Sequence, residues 1–270
     1  MSFCHEVLVT AVTRITPHMI RVQVEPLGDW RWTTEGHGDE RVDITFPLPG
    51  ETVANVAFFN QEGYGSGGVD LGAEPPWRHY TVRKVHDGGA RIDFDFVVHE
   101  GGLASGWAER AEPGHILGVF DPGHARSYYE PERPYDTQLL VADATGLPGL
   151  GRIIEELPAG VRALAVIEVP TPEDRQEFTT AAEVEYTWLY GSGLGRAPSA
   201  LLPAVEALTL PTEGSLYAWV ACESATSRAL RRHLRTVRGL ARADHHVVGY
   251  WRAGAEGHVP GINAEESEAA

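Results

Sequence analysis

Arg78-His-Tyr-Thr-Val-Arg83 sets two guanidinium groups, a phenol and a hydroxyl on one short extended run. Alternation along a strand sends Arg78, Tyr80 and Val82 to one face and His79, Thr81 and Arg83 to the other. Such a strand can lay a phenol against a flat heterocycle while an arginine's planar fork takes phosphate oxygens in pairs. Alone, Arg and Tyr on a strand read as a solvated face. The stretch gains weight from Gly102-Leu-Ala-Ser105 further on. That turn opens a helix expected over Trp107 to Ala111, where free backbone N–H groups and the helix dipole favour an anionic phosphate.

Working outward, apolar alternation marks Val7–Val12, Ile20–Val24, Val42–Phe46 and His79–Val85 as strands. The clearest case is Ile92, Phe94, Phe96 and Val98. Asp93 and Asp95 lie between them and read as the solvent side of a barrel strand, not as a catalytic pair. Strand spacing and Gly/Pro turns predict a small Greek-key β-barrel over residues 1–125. Within it, the glycine-rich stretch 61–76 reads as an exposed loop. A polar, proline-bearing linker is expected at 126–137. Beyond it, strand-like runs Leu139–Ala142, Ala163–Val169, Val184–Leu189, Leu216–Ala221 and Val247–Trp251 alternate with helical segments starting near Leu147, Pro198 and Ser224. This alternation predicts an α/β domain with a parallel sheet over 138–255, whose ligands sit beyond the carboxyl ends of its strands. The acidic tail, 256–270, has no core pattern and is expected to be disordered.

The chain of 270 residues carries a net charge of −16, which makes duplex DNA and anionic membrane surfaces poor partners. No long apolar run and no basic-then-apolar N-terminal segment is visible, so a cytoplasmic protein is expected. Cys4 and Cys222 are the only cysteines and lie far apart, which speaks against a disulfide framework or a thiolate metal centre. His245-His246 is not a metal pair either, because adjacent strand residues point to opposite faces. Positive charge is uneven. Lys84 is the sole lysine, and six arginines crowd between Arg228 and Arg242. In that helix Leu230, Leu234 and Val237 form the expected core stripe, leaving Arg228, Arg232, Arg235 and Arg242 largely elsewhere.

Taken together, Arg78–Arg83 and Gly102–Ser105 resemble the flavin-binding half of the ferredoxin-reductase superfamily. Within it the likeness is to the siderophore-interacting proteins, FAD-dependent ferric-siderophore reductases. It runs roughly from Phe3 to Gly254 and includes Asp95-Phe-Val-Val-His99, Pro113-Gly114, Val141-Ala-Asp-Ala-Thr-Gly-Leu-Pro148, Trp219-Val-Ala-Cys-Glu223 and Gly249-Tyr-Trp-Arg252. The resemblance implies a β-barrel followed by an α/β domain, with FAD as cofactor and NADPH or NADH as electron donor. The implied substrate is a small molecule, a ferric siderophore or similar chelate, handled by a monomer or weak dimer.

By that resemblance Arg78, Tyr80 and Thr81 face FAD, with His79, Val82, Arg83 and His99 close by. Gly102, Leu103, Ala104 and Ser105 hold its pyrophosphate. Glu100 stands where the family has Gly. Thr145 opens the first strand–helix turn of the second domain, where Ala144 replaces an acidic residue. Thr145 and Gly146 there read equally as phosphate-facing N–H groups or as a plain helix start. No Gly-x-Gly-x-x-Gly fingerprint occurs. Cys222, where relatives place Gly, and Glu223 are the catalytic candidates. Glu223 reads equally as a cap on the following helix. Tyr250 and Trp251 read as a cover for the flavin, or as C-terminal anchors. Arg228, Arg232, Arg235 and Arg252 read as the face met by an anionic chelate. Two alternatives stay open: a flavoprotein recruited to natural-product tailoring, and a non-catalytic chelate binder.

Overall fold

A computed structural model describes residues 4–34, 38–64, 73–120, 127–129, 131, 134–195, 197–211 and 213–254. The tail 256–270 and the middle of the loop after Gln61 lie outside them. The chain divides into two compact units, Met1–Gly36 with Glu40–Ser127, and His37–Asp39 with Tyr128–Ala270.

The first unit is a closed antiparallel barrel. Its strands are β1 (Cys4–Thr16), β2 (Met19–Pro26), β3 (Arg41–Thr45), β4 (Trp77–His86), β5 (Arg91–Val97) and β6 (Ile116–Phe120), ordered β1-β2-β5-β4-β3-β6. A short helix α1 (Val56–Asn60) lies between β3 and β4, and α2 (Leu103–Ala108) follows β5. Alternation builds the core as expected: Ile92, Phe94 and Phe96 are fully buried together with Val22, Val24, Ile44, Val82 and Leu117. Each such side chain contributes roughly 1.5–3 kcal/mol by leaving water.

Asp93 and Asp95 correct the sequence reading. They point off the core but are only 4% and 3% exposed. Register explains why, since Arg21 and Gln23 of β2 stand directly opposite Asp95 and Asp93. Arg21 grips Asp95 with two 2.7 Å bonds, Gln23 donates to Asp93 at 3.0 Å, and His86 Nε2 lies 2.9 Å from the other Asp93 oxygen. The barrel's outer face thus carries a covered polar ladder.

The second unit is a five-stranded parallel sheet in the order β11-β10-β7-β8-β9. Along the chain it runs β7 (Thr137–Asp143), α3 (Leu147–Glu156), β8 (Arg162–Val169), β9 (Glu183–Tyr190), α4 (Leu201–Ala207), β10 (Leu216–Glu223), α5 (Ser224–Thr236) and β11 (His245–Trp251). Near-continuous apolar runs in β7 and β8 suit strands covered on both faces. One face packs Leu139, Val141, Val220 and Cys222 against Leu201 and Val205 of α4 and Leu230 and Leu234 of α5.

Val237, expected in that stripe, is 69% exposed, because the helix ends at Thr236 and Val237 is its C-cap. Helix α4 starts at Leu201, three residues past Pro198. Part of the expected linker also packs into this unit. Tyr135 is buried and donates to Asp244 at 2.9 Å, and the backbone N–H groups of Tyr128 and Tyr129 donate to Asp39. Asp39 accepts from the Trp219 indole as well, at 2.8 Å, so residues 38–39 are stitched to the second unit. Among the described residues, no helix is long and apolar enough to cross a membrane, and no group of three or more His, Cys, Asp or Glu could hold a metal ion.

Candidate functional site

Each unit presents one candidate surface. On the barrel, β4 and α2 meet at one end through aromatic packing. Phe96 touches Tyr80, with ring centroids 4.3 Å apart, and Trp107 at 5.4 Å; Phe46 touches both as well. Trp107 of α2 and Tyr80 of β4, the strand carrying Arg78, thus pack on the same two phenylalanine rings.

Register confirms the two faces of β4. Arg78 and Tyr80 stand opposite Ile44 and Val42, while His79 and Thr81 stand opposite Asp43 and Arg41. Tyr80 is half-buried against the barrel rings, and that burial pushes its phenol far above the usual range. Val82 is wholly inside the core. His79 pairs with Asp43 through Nδ1. Arg83 sits in a bulge between Val82 and Lys84, buried, with its guanidinium 3.7 Å from Asp95. Its charge is matched inside the outer ladder. Arg78 differs. Its Nη1 donates to the Trp77 carbonyl at 2.6 Å, and no carboxylate among the described residues pairs with it.

Helix α2 begins at Leu103, not near Trp107, and ends at Ala108, short of Ala111. Gly102 is the N-cap and supplies no side-chain cap. A Cβ there would meet the His99 ring at 2.4 Å, so the imidazole lies where any larger residue would stand. Ser105 is 2% exposed, and its hydroxyl both accepts from the His99 N–H and donates to the His99 carbonyl, each at 2.8 Å. The serine side chain locks the turn. What remains for an anion is the backbone: the N–H groups of Leu103, Ala104 and Ser105 precede the helix's own ladder. Glu100 is exposed, and its carbonyl lies 3.1 Å from His99 Nδ1. These donors, with Arg78, suit an anionic group such as a cofactor's pyrophosphate.

In the second unit a cavity of about 420 Å³ opens at the carboxyl ends of the strands, lined by Asp143, Glu168, Ser192, Glu223, Trp251 and their neighbours. It lies by the β7–β10 pair, where the strand order reverses, the usual ligand position in open α/β sheets. Asp143 is its organiser. One oxygen accepts from Thr145 N–H (2.8 Å), Thr145 Oγ1 (2.6 Å) and Gly146 N–H (3.3 Å). The other accepts from Glu223 N–H (2.9 Å) and the Trp251 indole (2.7 Å). Burial pushes its pKa up to about 6, against hydrogen bonds that favour the ionised form.

This arrangement fixes the local bonds of several of these residues. The N–H groups of Thr145 and Gly146 and the Thr145 hydroxyl are turned onto Asp143 and are not presented to a phosphate. Glu223 caps α5, its Oε2 accepting from Ala225 N–H (2.6 Å) and Thr226 N–H (3.0 Å). Cys222 is among the residues that line the crevice. It is fully buried in the core cluster on the α4–α5 face, and burial raises its thiol well above the ordinary range, which leaves it protonated. Trp251 follows a bulge at Tyr250, is pinned by Asp143, and lines the cavity; Tyr250 is half-buried.

Of the arginines, Arg228, Arg232, Arg235, Arg242 and Arg252 are exposed. Arg231 instead donates to the Val247 carbonyl at 2.5 Å, and Arg238 donates to the carbonyls of Val205, Glu206 and Leu208, closing the end of α4. Glu168, a buried acid near the end of β8, belongs to none of the motifs above; its signal in the sequence is an apolar strand closing on a lone acid.

A barrel with an anion-ready strand and turn, and a parallel sheet with a carboxyl-end crevice, define a two-unit flavoprotein-reductase fold. Residues 8–126 match the siderophore-interacting FAD-binding domain and residues 135–254 the siderophore-interacting protein domain; the chain belongs to the siderophore-interacting protein family. A siderophore utilization protein from T. fusca is 33% identical, with a TM-score of 0.78 over 95% of each chain. The ferric vibriobactin reductase of Vibrio cholerae is 32% identical over 183 residues, 67% of this chain and 66% of that protein's own length. The NADPH-dependent ferric-chelate reductase of Escherichia coli K12 is 42% identical over 89 residues, 32% of each. A ferredoxin reductase of carbazole 1,9a-dioxygenase, 15% identical at a TM-score of 0.60 over 90% of this chain and 68% of that one, shares the fold alone.

Proposed function

We propose that this chain is an oxidoreductase that uses FAD to pass electrons from NAD(P)H to a bound ferric siderophore, so that the ferrous ion leaves its chelator. Relatives named as ferric reductases support the reaction class, and the FAD-binding domain match supports the cofactor. The observation that carries the reading is Arg78, a guanidinium without a carboxylate partner among the described residues, on the strand whose Tyr80 shares Phe46 and Phe96 with Trp107 of the uncapped helix α2.

In this reading Arg78 and the N–H groups of Leu103, Ala104 and Ser105 hold the pyrophosphate. The exposed edge of Tyr80 positions the ring, while Thr81 is buried on the other face of β4 and the His99 ring packs against Gly102 at the turn. Arg83 and His79 hold the strand through Asp95 and Asp43. Bound FAD would supply two-electron acceptance from a nicotinamide and one-electron delivery to iron. The crevice of the second unit takes the nicotinamide nucleotide. The exposed arginines Arg228, Arg232, Arg235 and Arg252 attract an anionic chelate to a chain that is otherwise strongly acidic.

The purified protein is expected to be yellow with the absorbance of oxidised flavin, and Arg78→Ala is expected to lose the colour while keeping wild-type circular dichroism. A colourless wild type that also fails to take up added FAD overturns the reading.

A further inference from the structure

The crevice of the second unit is acidic in a way that bears on which nicotinamide nucleotide it accepts. Asp143, Glu168 and Glu223 line it, and no Arg or Lys stands among the described lining residues. Two of the three acids are already satisfied. Asp143 accepts five hydrogen bonds, and Glu223 is spent on the first turn of α5 with a weaker 3.4 Å contact from Ala253 N–H. Glu168 is the exception. It is 2% exposed, its Oε1 accepts from Ala200 N–H at 2.6 Å, and Oε2 has no donor among the described residues. Oε2 is not among the fully buried side-chain atoms left without a partner, so it keeps access to the crevice, where a ligand hydroxyl can donate to it.

Position narrows the ligand. Glu168 is the penultimate residue of β8, the second strand of the β7–α3–β8 unit, and is the register partner of Asp143 at the end of the first strand. In doubly wound sheets an acid at this place accepts from the ribose hydroxyls of a nucleotide. The loop after β9 closes tightly over it. A Cβ on Gly193 would meet the Glu168 carbonyl at 2.8 Å, and one on Gly195 would meet the Trp251 ring at 2.8 Å, both glycines having positive φ. A ribose therefore meets Glu168 at close quarters, beside an indole held in place by Asp143.

We infer that this crevice selects NADH over NADPH, with Glu168 as the residue that accepts from the adenosine ribose 2′-hydroxyl and rejects a 2′-phosphate. The inference rests on the proposed role of the crevice as the nicotinamide-nucleotide site. Its logic is charge against charge: a dianionic phosphate ester would stand beside a buried carboxylate, with no Arg or Lys among the described lining residues to neutralise either. The relative from Escherichia coli is named for NADPH, so the inference separates this chain from that protein.

Calorimetric titration of the purified full-length protein with NAD⁺ and NADP⁺ tests it, alongside the fragments 5′-AMP and 2′,5′-ADP, which differ only in the 2′-phosphate. NAD⁺ and 5′-AMP are expected to bind about tenfold or more tightly than their phosphorylated counterparts. Glu168→Gln keeps an acceptor oxygen and removes the charge, so it should shrink both ratios to about threefold or less while the melting curve stays in place. NADP⁺ binding as tightly as NAD⁺ overturns the inference and leaves the nucleotide site standing. Binding of neither nucleotide overturns the inference together with the reading of the crevice. An NAD⁺ preference that survives Glu168→Gln unchanged overturns the assignment to Glu168.

Discussion

Replacing Asp143 by Asn alters one terminal atom and should destabilise the second unit by about 2–6 kcal/mol. The figure follows from counting donors around a carboxylate that is 2% exposed. Thr145 N–H, Thr145 Oγ1 and Gly146 N–H converge on one oxygen, and Glu223 N–H and the Trp251 indole on the other. An Asn amide keeps a single acceptor oxygen. Turned toward Thr145 and Gly146, it sets its NH2 against the Glu223 and Trp251 donors. Turned the other way, it faces three donors. The better orientation still strands two buried donors, and each stranded donor costs roughly 1–3 kcal/mol. Urea unfolding at about pH 8 measures the loss, two units above the pKa of about 6, where wild-type Asp143 is ionised. The Trp251 indole N–H resonance should shift in the folded variant as its acceptor disappears. A variant within about 1 kcal/mol of wild type, with that resonance unmoved, would refute the idea that Asp143 ties together the ends of β7, β10 and β11.

Cys222→Gly should destabilise by roughly 1–3 kcal/mol, through a void beside Val220 and Leu230 and a glycine in a central strand, with no gain in flavin reduction. Unchanged urea stability together with faster stopped-flow flavin bleaching would contradict the placement of the thiol in the core. Burial holds the His245 pKa below 6.5, so as pH falls through 6.5 the unfolded chain takes up the proton first and stability is lost on the acid side. His245→Gln should flatten that part of the stability–pH curve; superimposable curves for variant and wild type below that pH would show that His245 contributes nothing.

The fold was legible because its periods are clean. Ile92, Phe94 and Phe96 alternate without interruption, and Leu139–Ala142 is apolar throughout, so a half-covered barrel strand and a doubly covered parallel strand are distinguishable on pattern alone. What depended on register was not legible. Asp93 and Asp95 alternate just as solvent-facing residues do, and only the pairing of β2 with β5 sets Gln23 and Arg21 opposite them. Helix ends were displaced for a similar reason. Gly102 caps α2 because the His99 ring packs over it, a contact between residues whose approach no local pattern encodes. Asp39 joins the second unit from within the barrel's stretch of sequence, through a bond to Trp219 far along the chain.

The site shows the same limit in sharper form, since an acid's availability is set by the donors around it rather than by its place in a motif. Glu223 was singled out because it follows a strand and precedes a helix, and that very position spends its carboxylate on the helix. Thr145 was singled out for its free donors, and Asp143, two residues earlier, takes them. Arg83 drew notice for its charge, which Asp95 already matches. Glu168 belongs to no motif and drew none, yet it alone of the three crevice acids keeps an oxygen without a donor among the described residues. The residues best placed to meet a ligand, Glu168 in the second unit and Arg78 in the first, are therefore those whose charge the surrounding fold leaves unanswered. A sequence shows where charges occur; the subtraction of those already answered needs the hydrogen bonds.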